Sequence, residues 1–429
     1  MIDEHILQIK ENFGVDESIR RCEYHEYLPI TGSSLNTSGE IRIILESQDE
    51  FFYPANSLLI FNGQVCKNVA ANTAYADADK IALINNFPMY LFNNIRYELS
   101  GHEIESINNP GPATTMKGLL KYSYNFEKGQ GMNQCWTKDT PGDTDDSKND
   151  GFKTRHDYII ETPTPKGQFS FAIPFKHIFG FAEDYDKVLY GLRHVLTLVR
   201  QSDNDSIFRA STTDVGKILL SKISWYMPRI LPNDQERLSL VKTIEEKVVI
   251  SAGFRMHQCD TISVPQSTTF SWRMSVRTSP ESPRWVIVGF QTNRVGNQEK
   301  NPAAFDHCNA EDVWVELNGN PYPSLKRKTN FTKQEIATIY NAISDFLPSY
   351  YGIENVQPNI SPIHFKDLYP LHVINISKQP ERLKYGVMDM NLRATFSETV
   401  PENTQVYALV ISDRILKFQS DGRKLNVIL

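Results

Sequence analysis

The residues able to do chemistry are few and scattered. His257 with Cys259, and His307 with Cys308, are the close His/Cys pairs. Zinc takes three or four such ligands at recognisable spacing, and the chain contains no C-x-x-C and no H-x-x-x-H. Alternation along the strand-like segment FRMHQC at 254–259 puts His257 and Cys259 on one strand face, where a buried thiol beside a satisfied imidazole is the expected arrangement. Asp143, Asp145 and Asp150 could offer oxygens to calcium, but Lys148 stands where an EF-hand loop needs its sixth-position Gly. No bidentate Glu follows at position twelve of that loop either, so the segment reads as a solvated acidic loop. Glu103 and Glu105 fall on one face of a strand. A glycosidase would need such a pair in a cleft, and solvent-facing pairs are common. There is no G-x-S-x-G elbow, and neither Gly129-Gln-Gly131 nor Gly14 has the surroundings of a phosphate or dinucleotide loop. The expectation is a protein with no catalytic, cofactor-binding or metal-binding residues, using no cofactor and not acting as an enzyme.

Composition points the same way. Net charge is −6, whereas a chain whose task is gripping nucleic acid carries a basic excess or stripe. The densest basic cluster, Lys326-Arg327-Lys328, reads as a solvated turn, so no sequence-specific nucleic-acid binding is expected. Five cysteines (Cys22, Cys66, Cys135, Cys259, Cys308) stand singly, which argues against a disulfide framework and suits a reducing compartment. The N-terminus MIDEH begins acidic, without the basic and apolar regions of a signal peptide. No apolar run approaches the roughly 20 residues that span a bilayer. The expectation is a soluble chain, intracellular when made, with no transmembrane segment. The N-x-S/T sequons at Asn36, Asn204, Asn330, Asn359 and Asn375 then count as chance matches.

These residues must be positioned by β-structure. At 429 residues, two domains of about 200 residues each are the default. The 19 Tyr and 23 Phe suit strands and large interfaces. Short β-branched or aromatic runs bounded by Gly, Pro, Asn and Asp predict strands at 41–45, 57–61, 80–84, 94–99, 157–161, 168–173, 195–200 and 216–226. A second set falls at 247–257, 268–276, 285–291, 312–317, 372–376, 388–395 and 406–411. The tail at 415–429 adds a strand or a hairpin turning at Ser420-Asp421-Gly422. Helical periodicity is confined to 234–246, with Asp234 as N-cap, to 332–347, and to 114–122 after the breakers NPGP at 109–112. In the second of these, Thr332 and Glu335 form a capping box and Pro348 stops the helix.

Pro228 and Pro232 mark the boundary between the halves, because proline fixes φ and removes a ladder donor. The expected organisation is an N-terminal tail or arm at 1–20, a first jelly roll at 21–232, a linker helix at 233–246 and a second jelly roll at 247–429. The fold class is all-β: two consecutive eight-stranded jelly rolls with a few inserted helices. An internal echo supports two copies, since IRYELSG at 95–101 and VWVELNG at 313–319 both carry an aromatic two before Glu-Leu-(Ser/Asn)-Gly. The polar stretch at 139–151 is too poor in apolar residues for a core and is expected to project outward.

Several segments, in order, give the chain a family resemblance. They are YPANSLLIFNG at 53–63, NNPGPATTMKG at 108–118, KISWYMP at 222–228, PRWVIVGFQTN at 283–293, FDHCN at 305–309 and SYYG at 349–352. With these, the chain resembles the double jelly-roll major capsid protein of polinton/Maverick-type elements and adintovirus-like viruses. The resemblance spans nearly the whole chain, from about Tyr53 to Asp413, and the 139–151 loop and the N-terminal 20 residues match nothing in it. It implies a homotrimeric, pseudo-hexameric capsomer that tiles an icosahedral shell around double-stranded DNA. The implied location is the virion capsid, assembled inside the host cell in cytoplasm or nucleus. The implied partners are neighbouring capsomers, a penton protein, minor capsid proteins and a packaging ATPase. Trimer contacts are expected at 110–122 and 332–351, although Tyr350 and Tyr351 could equally cap their own domain. The alternatives are a double jelly-roll glycan-amidase or lectin-like protein, of a usually secreted type, and a domesticated host copy of a capsid gene.

Overall fold

In a computed structural model, the described residues are 18–30, 34–46, 50–161, 163–247, 249–274, 282–353, 359–378, 389–420 and 425–428. The first half contributes β1 (Ile19–Tyr27), β2 (Gly39–Leu45), β3 (Phe51–Phe52), β4 (Leu58–Lys67), β5 (Ile81–Leu83) and β6 (Phe92–Leu99). It continues with β7 (His102–Asn108), β8 (Gln168–Pro174), β9 (Leu189–Tyr190), β10 (His194–Arg200), β11 (Ile207–Arg209) and β12 (Gly216–Pro232). The second half contributes β13 (Ile250–Ser263), β14 (Thr269–Met274), β15 (Ser282–Thr292), β16 (Ala310–Leu317) and β17 (Asn320–Tyr322). It ends with β18 (His372–Asn375), β19 (Met390–Phe396), β20 (Thr404–Ser420) and β21 (Leu425–Ile428).

Pairing makes two copies of one diagram. In the first half β1–β12–β4–β8 forms one sheet and β2–β10–β6–β7 the other. In the second half β13–β20–β15–β18 and β14–β19–β16–β17 repeat that order strand for strand. The short β3, β5, β9 and β11, and the tail strand β21 on β20, are additions to this plan. Each half is therefore an eight-stranded jelly roll, and among the described residues no strand pairs across the two. The echo in the sequence is the β6–β7 and β16–β17 hairpins. Each turns through two residues of positive φ, Ser100 (48°) with Gly101 (87°) and Asn318 (47°) with Gly319 (83°). These are type I′ turns, whose twist matches that of the strands they join.

The structure departs from the sequence reading at prolines and polar stretches, where local pattern predicts breaks. β12 does not stop at Tyr226: it runs through Pro228, which lies opposite Tyr24 of β1, to Pro232. The Pro228 carbonyl still accepts from the Tyr53 N–H at 3.0 Å, so this proline removes only its own donor from the strand. NPGP at 109–112 starts α1 (Pro110–Lys121) rather than preceding it, with Pro110 at the first helical position, where no N–H is needed. After α2 (Tyr124–Lys128) comes α3 (Asp150–Ile160), which takes up the strand predicted at 157–161. Two short helices follow, α4 (Phe175–Ile178) and α5 (Gly180–Asp184). In α6 (Asp234–Glu245) the N-cap is Asn233, accepting from the Glu236 N–H at 2.7 Å, and not Asp234.

The helix predicted at 332–347 is shorter and split into α7 (Ala337–Ser344) and α8 (Phe346–Tyr351). Asn330 and Glu335 instead form an isolated bridge, so the capping box is not made, and Pro348 sits in the first turn of α8. Last comes α9 (Pro362–Leu368). The hairpin predicted in the tail exists as β20 pairing β21, while Asp421 and Gly422 lie outside the described residues, as does Gly14.

Two cores result. One fills the second sandwich between its sheets, through Val286, Val288, Phe290, Val313, Val315, Leu392, Val406 and Val410. The other runs from inside the first sandwich into the outer face of the β13–β20–β15 sheet, where Phe254, Trp285, Ile287, Leu409 and Ile411 are buried.

Candidate functional site: the joint between the two jelly rolls

The outer face of β13, β20 and β15 is covered by α1, α5, β7 and α8. α5 can press onto β13 because residue 180 is glycine: a Cβ there would lie 1.7 Å from the Arg255 carbonyl oxygen. Phe181 then meets Phe254 edge-on at 5.3 Å, and Trp285 meets Phe346 at 5.1 Å. Such aromatic pairs add about 0.5–1.5 kcal/mol each beyond the area they bury.

Within this apolar contact lies a chain of buried charges. α1 carries Lys117 (side chain 5% exposed) and Lys121 one turn on, and both ammonium groups reach Glu183 of α5 at 2.5 Å. The Tyr351 hydroxyl of the second half donates to Glu183 Oε1 at 2.9 Å. Burial pushes the Glu183 carboxyl up, but Lys117 and Lys121 outweigh it and hold it well below the usual carboxylate range. Burial together with the like charge of Lys117 lowers the Lys121 ammonium, against the pull of Glu183. Next to Glu183, Asp184 accepts from the Arg255 backbone N–H at 2.8 Å and from its Nε at 2.9 Å. The Arg255 guanidinium also donates to the Tyr350 carbonyl at 2.6 Å and lies 4.0 Å from the Tyr350 ring centroid. Glu105, fully buried, accepts from the Phe181 N–H at 3.0 Å and the His257 N–H at 2.9 Å. Arg414 of β20 donates to the Ile104 carbonyl at 2.7 Å. Each bond crosses from one half to the other or braces one that does. An isolated buried charge is costly, so the chain of partners is what makes this placement tenable.

Two further contacts tie the halves. Asp139 is 2% exposed. It accepts from Arg155 Nη2 at 2.7 Å, Asn149 Nδ2 at 2.9 Å and Asn301 Nδ2 at 2.7 Å. The Tyr369 hydroxyl donates to its carbonyl at 3.0 Å. The Gln298 side chain pairs with the Gly216 backbone as a strand would, accepting from its N–H at 2.9 Å and donating to its carbonyl at 2.8 Å.

The residues singled out in the sequence land as follows. His257 and Cys259 are both buried on β13; burial and Lys117 lower the His257 imidazole from its ordinary value against the pull of Glu105, and burial pushes the Cys259 thiol up. His307 Nδ1 accepts from the Asn309 N–H at 2.9 Å and its ring stacks on Phe331. Burial raises the neighbouring Cys308 thiol to about 11. Asp145 is spent on Ser147 and Lys148, and no group of three metal-ligating side chains occurs among the described residues. Lys326 and Lys328 are exposed as expected, but Arg327 turns inward and donates to the Val373 carbonyl at 2.8 Å. Glu103 and Glu105 do not share a face. A bulge opposite Tyr97 and Glu98 inserts Ile104 and re-aims Glu105 into the joint. The 139–151 stretch is pinned at both ends by Asp139 and Asn149, so it does not project as a free loop.

Of the expected trimer contacts, α1 buries ten residues within its own chain, Pro110 to Pro112 and Leu119 among them. α7 and α8 likewise bury Ile339, Ile343, Phe346 and Tyr350 inside the molecule, so both segments serve the joint. Exposed apolar side chains are scattered elsewhere, Leu325, Ile363 and Ile415 among them, and several lie along β1, the segment after it, the end of β12 and α6: Ile19, Tyr24, Leu28, Ile30, Leu231 and Leu238. No helix among the described residues is long and apolar enough to cross a membrane.

The doubled strand order has relatives. The double jelly roll-like domain family matches this chain over residues 81–416. Among solved structures, a chain of the Sputnik virophage particle superposes with a TM-score of 0.60 at 10% identity, covering 100% of this chain and 92% of that one. The Faustovirus major capsid protein gives 0.57 at 10% identity over 96% and 92%. PBCV-1 VP54, as fitted into the Sputnik reconstruction, gives 0.56 at 9% over 95% and 97%. No curated protein matches in sequence. The chain belongs to the double jelly roll-like domain family.

Proposed function

We propose that this chain is the major capsid protein of an icosahedral double-stranded DNA virus or virus-like element of the polinton/Maverick and adintovirus type. The observation that carries the reading is the joint: two jelly rolls of identical strand order are locked side by side by a buried, charge-paired contact. One such chain presents two similar upright units, so three copies give a pseudo-hexagonal block that can tile a lattice. The two units are residues 21–232 and 247–429, with helix 233–246 between them. Function then resides in contacts between copies, and with neighbouring capsomers, a penton protein and minor capsid proteins. The trimer and lattice contacts fall on surfaces the chain leaves uncovered, β1 and α6 among them, with Tyr24 and Leu238 as exposed apolar side chains. A net charge of −6 suits a shell that encloses its genome without gripping it. Location in the virion follows from this reading.

Light scattering with negative-stain microscopy on the purified chain tests it. Triangular or hexagonal trimers are the expected result. A strict monomer at high concentration, across salt and pH, overturns it. Leu238→Asp, at a side chain 70% exposed, separates contact from folding: the reading expects weaker association with an unchanged melting temperature.

A further inference from the structure

A second feature of the joint is a groove of about 570 Å³ open at the surface between the two rolls. The first roll lines it with the asparagines at 93, 94, 108 and 109, and the second with Gln258, Asp260 and Trp272. The amides are held in place by the fold. Asn94 and Asn108 are register partners across β6 and β7, and Asn94 Nδ2 donates to Asn108 Oδ1 at 2.9 Å and to Ser106 Oγ at 3.0 Å. Asn109 adopts a left-handed backbone at the start of α1, and its side chain makes no capping bond to that helix. On the opposite wall Gln258 Nε2 donates to Asp260 Oδ2 at 2.7 Å, fixing the carboxylate. Trp272, on the edge strand β14, is half-buried: it packs against the core of the second sandwich, and the remainder lines the groove as an aromatic surface.

From this geometry we infer that the groove binds neutral carbohydrate of the pyranose class. Each hydroxyl of a sugar both donates and accepts, and amide side chains offer both roles while a carboxylate accepts two hydroxyls in charge-assisted bonds. An indole beside them gives the C–H face of a pyranose a flat apolar surface that keeps one polar edge. No Lys, Arg or His lines the groove, so phosphate, sulfate and acidic sugars find no counter-charge. The volume lies within the range of small-molecule sites and holds one or two rings. Both rolls contribute, so the site exists only when the joint is made. The inference does not rest on shell formation.

The test is saturation-transfer NMR and calorimetry on the full chain, in whatever oligomer it forms. The probes are methyl glycosides of glucose, galactose, mannose and N-acetylglucosamine, with a glycan array holding neutral and acidic members. Saturable binding of at least one neutral sugar is expected. Asp260→Asn is expected to weaken it about tenfold or more, the scale of one lost charge-assisted hydrogen bond, and Trp272→Ala by up to about tenfold, the scale of one lost aromatic contact. Tyr124→Ala, an exposed aromatic away from the groove, is the control and leaves affinity unchanged. Asp260→Asn, nearly isosteric, keeps the test decisive if Trp272→Ala fails to fold. Absence of any neutral-sugar binding, binding confined to acidic glycans, or binding that survives both substitutions overturns the assignment. Scattering on the same samples records the oligomer, so failure of sugar binding and failure of the capsomer reading are told apart.

Discussion

The two jelly rolls share one strand diagram and differ in how their equivalent sheets are buried. In the first roll the β4–β12 sheet alternates, with Ile218 and Leu220 inside and Lys217 and Leu219 half-exposed outside. In the second roll the β15–β20 sheet is buried on both faces. Val406, Ala408 and Val410 face the sandwich, while Tyr407, Leu409 and Ile411 face the joint. An antiparallel sheet with one wet face reads as alternation, and one covered on both sides reads as a continuous apolar run. The runs WVIVGF at 285–290 and VYALVI at 406–411 are therefore the sequence trace of the joint. What distinguishes the copies is the use of the outer face: one is left to the surface, the other is spent on fusing the pair.

The sharpest way to break this asymmetry is to remove a charge from the joint. Glu183→Gln leaves Lys117 and Lys121 buried without their partner, and a loss of about 3–5 kcal/mol of unfolding free energy is expected. Asp214→Asn, breaking the Lys67 pair on the first roll where Asp214 is 65% exposed, should leave the melting temperature in place, as surface pairs contribute little. pH offers a second reading of the same group. Lys117 and Lys121 hold the folded Glu183 below its ordinary 4.5. Its stabilisation is thus complete above about pH 4.5 and is lost as pH falls below that value. Glu183→Gln should flatten that acid limb of the stability profile, measured by denaturant melts from pH 3 to 7.

A smaller effect compares the outer faces directly. Leu409 is 1% exposed, so Leu409→Ala should cost about 2–5 kcal/mol. Leu219→Ala, on the outer face of the equivalent eighth strand, should cost less, about 1–2 kcal/mol, since part of its side chain already meets water. Equal losses at the two positions would mean that the first roll's outer face is covered too. Gln298→Ala comes next. It strips the buried Gly216 N–H of its partner, and about 1–3 kcal/mol is expected, read by chemical denaturation with an unchanged m-value.

Much of the β-structure was legible because inward positions recur with period two, as in GEIRIIL of β2, and because β-branched and aromatic residues mark the strands. The joint was not, for reasons visible residue by residue. Lys117 and Glu183 are charged, and local pattern assigns such residues to solvent; only their pairing allows burial. Glu105 is turned inward by a bulge that alternation cannot anticipate. Asp139 sits in a polar stretch whose ends are buried by contacts from Asn301 and Tyr369, more than 150 residues away in sequence. Prolines misled in the other direction, since Pro110 and Pro348 stand in first turns of helices, where their missing donor costs nothing. The apolar runs at 285–290 and 406–411 were the available signal. They mark a sheet covered on both faces without saying what covers the second.

The smallest prediction concerns the feature the rolls share. The β6–β7 and β16–β17 hairpins both turn through positive-φ pairs, but the first uses Ser100-Gly101 and the second Asn318-Gly319. Asparagine tolerates the left-handed region better than serine, because its side chain hydrogen-bonds its own backbone, and Asn-Gly is the favoured type I′ pair. Ser100→Asn should therefore stabilise the first hairpin and Asn318→Ser destabilise the second, each by less than about 1 kcal/mol and with opposite sign. Gly101→Ala and Gly319→Ala should both be unfavourable by similar amounts, since φ of 87° and 83° excludes a Cβ from either. Paired thermal melts of the four variants check this. If the two turns respond alike while the outer faces at Leu219 and Leu409 do not, then the local geometry of the two rolls is common and their difference is confined to what each packs against. Divergent responses at the turns would instead place part of the asymmetry inside the rolls themselves.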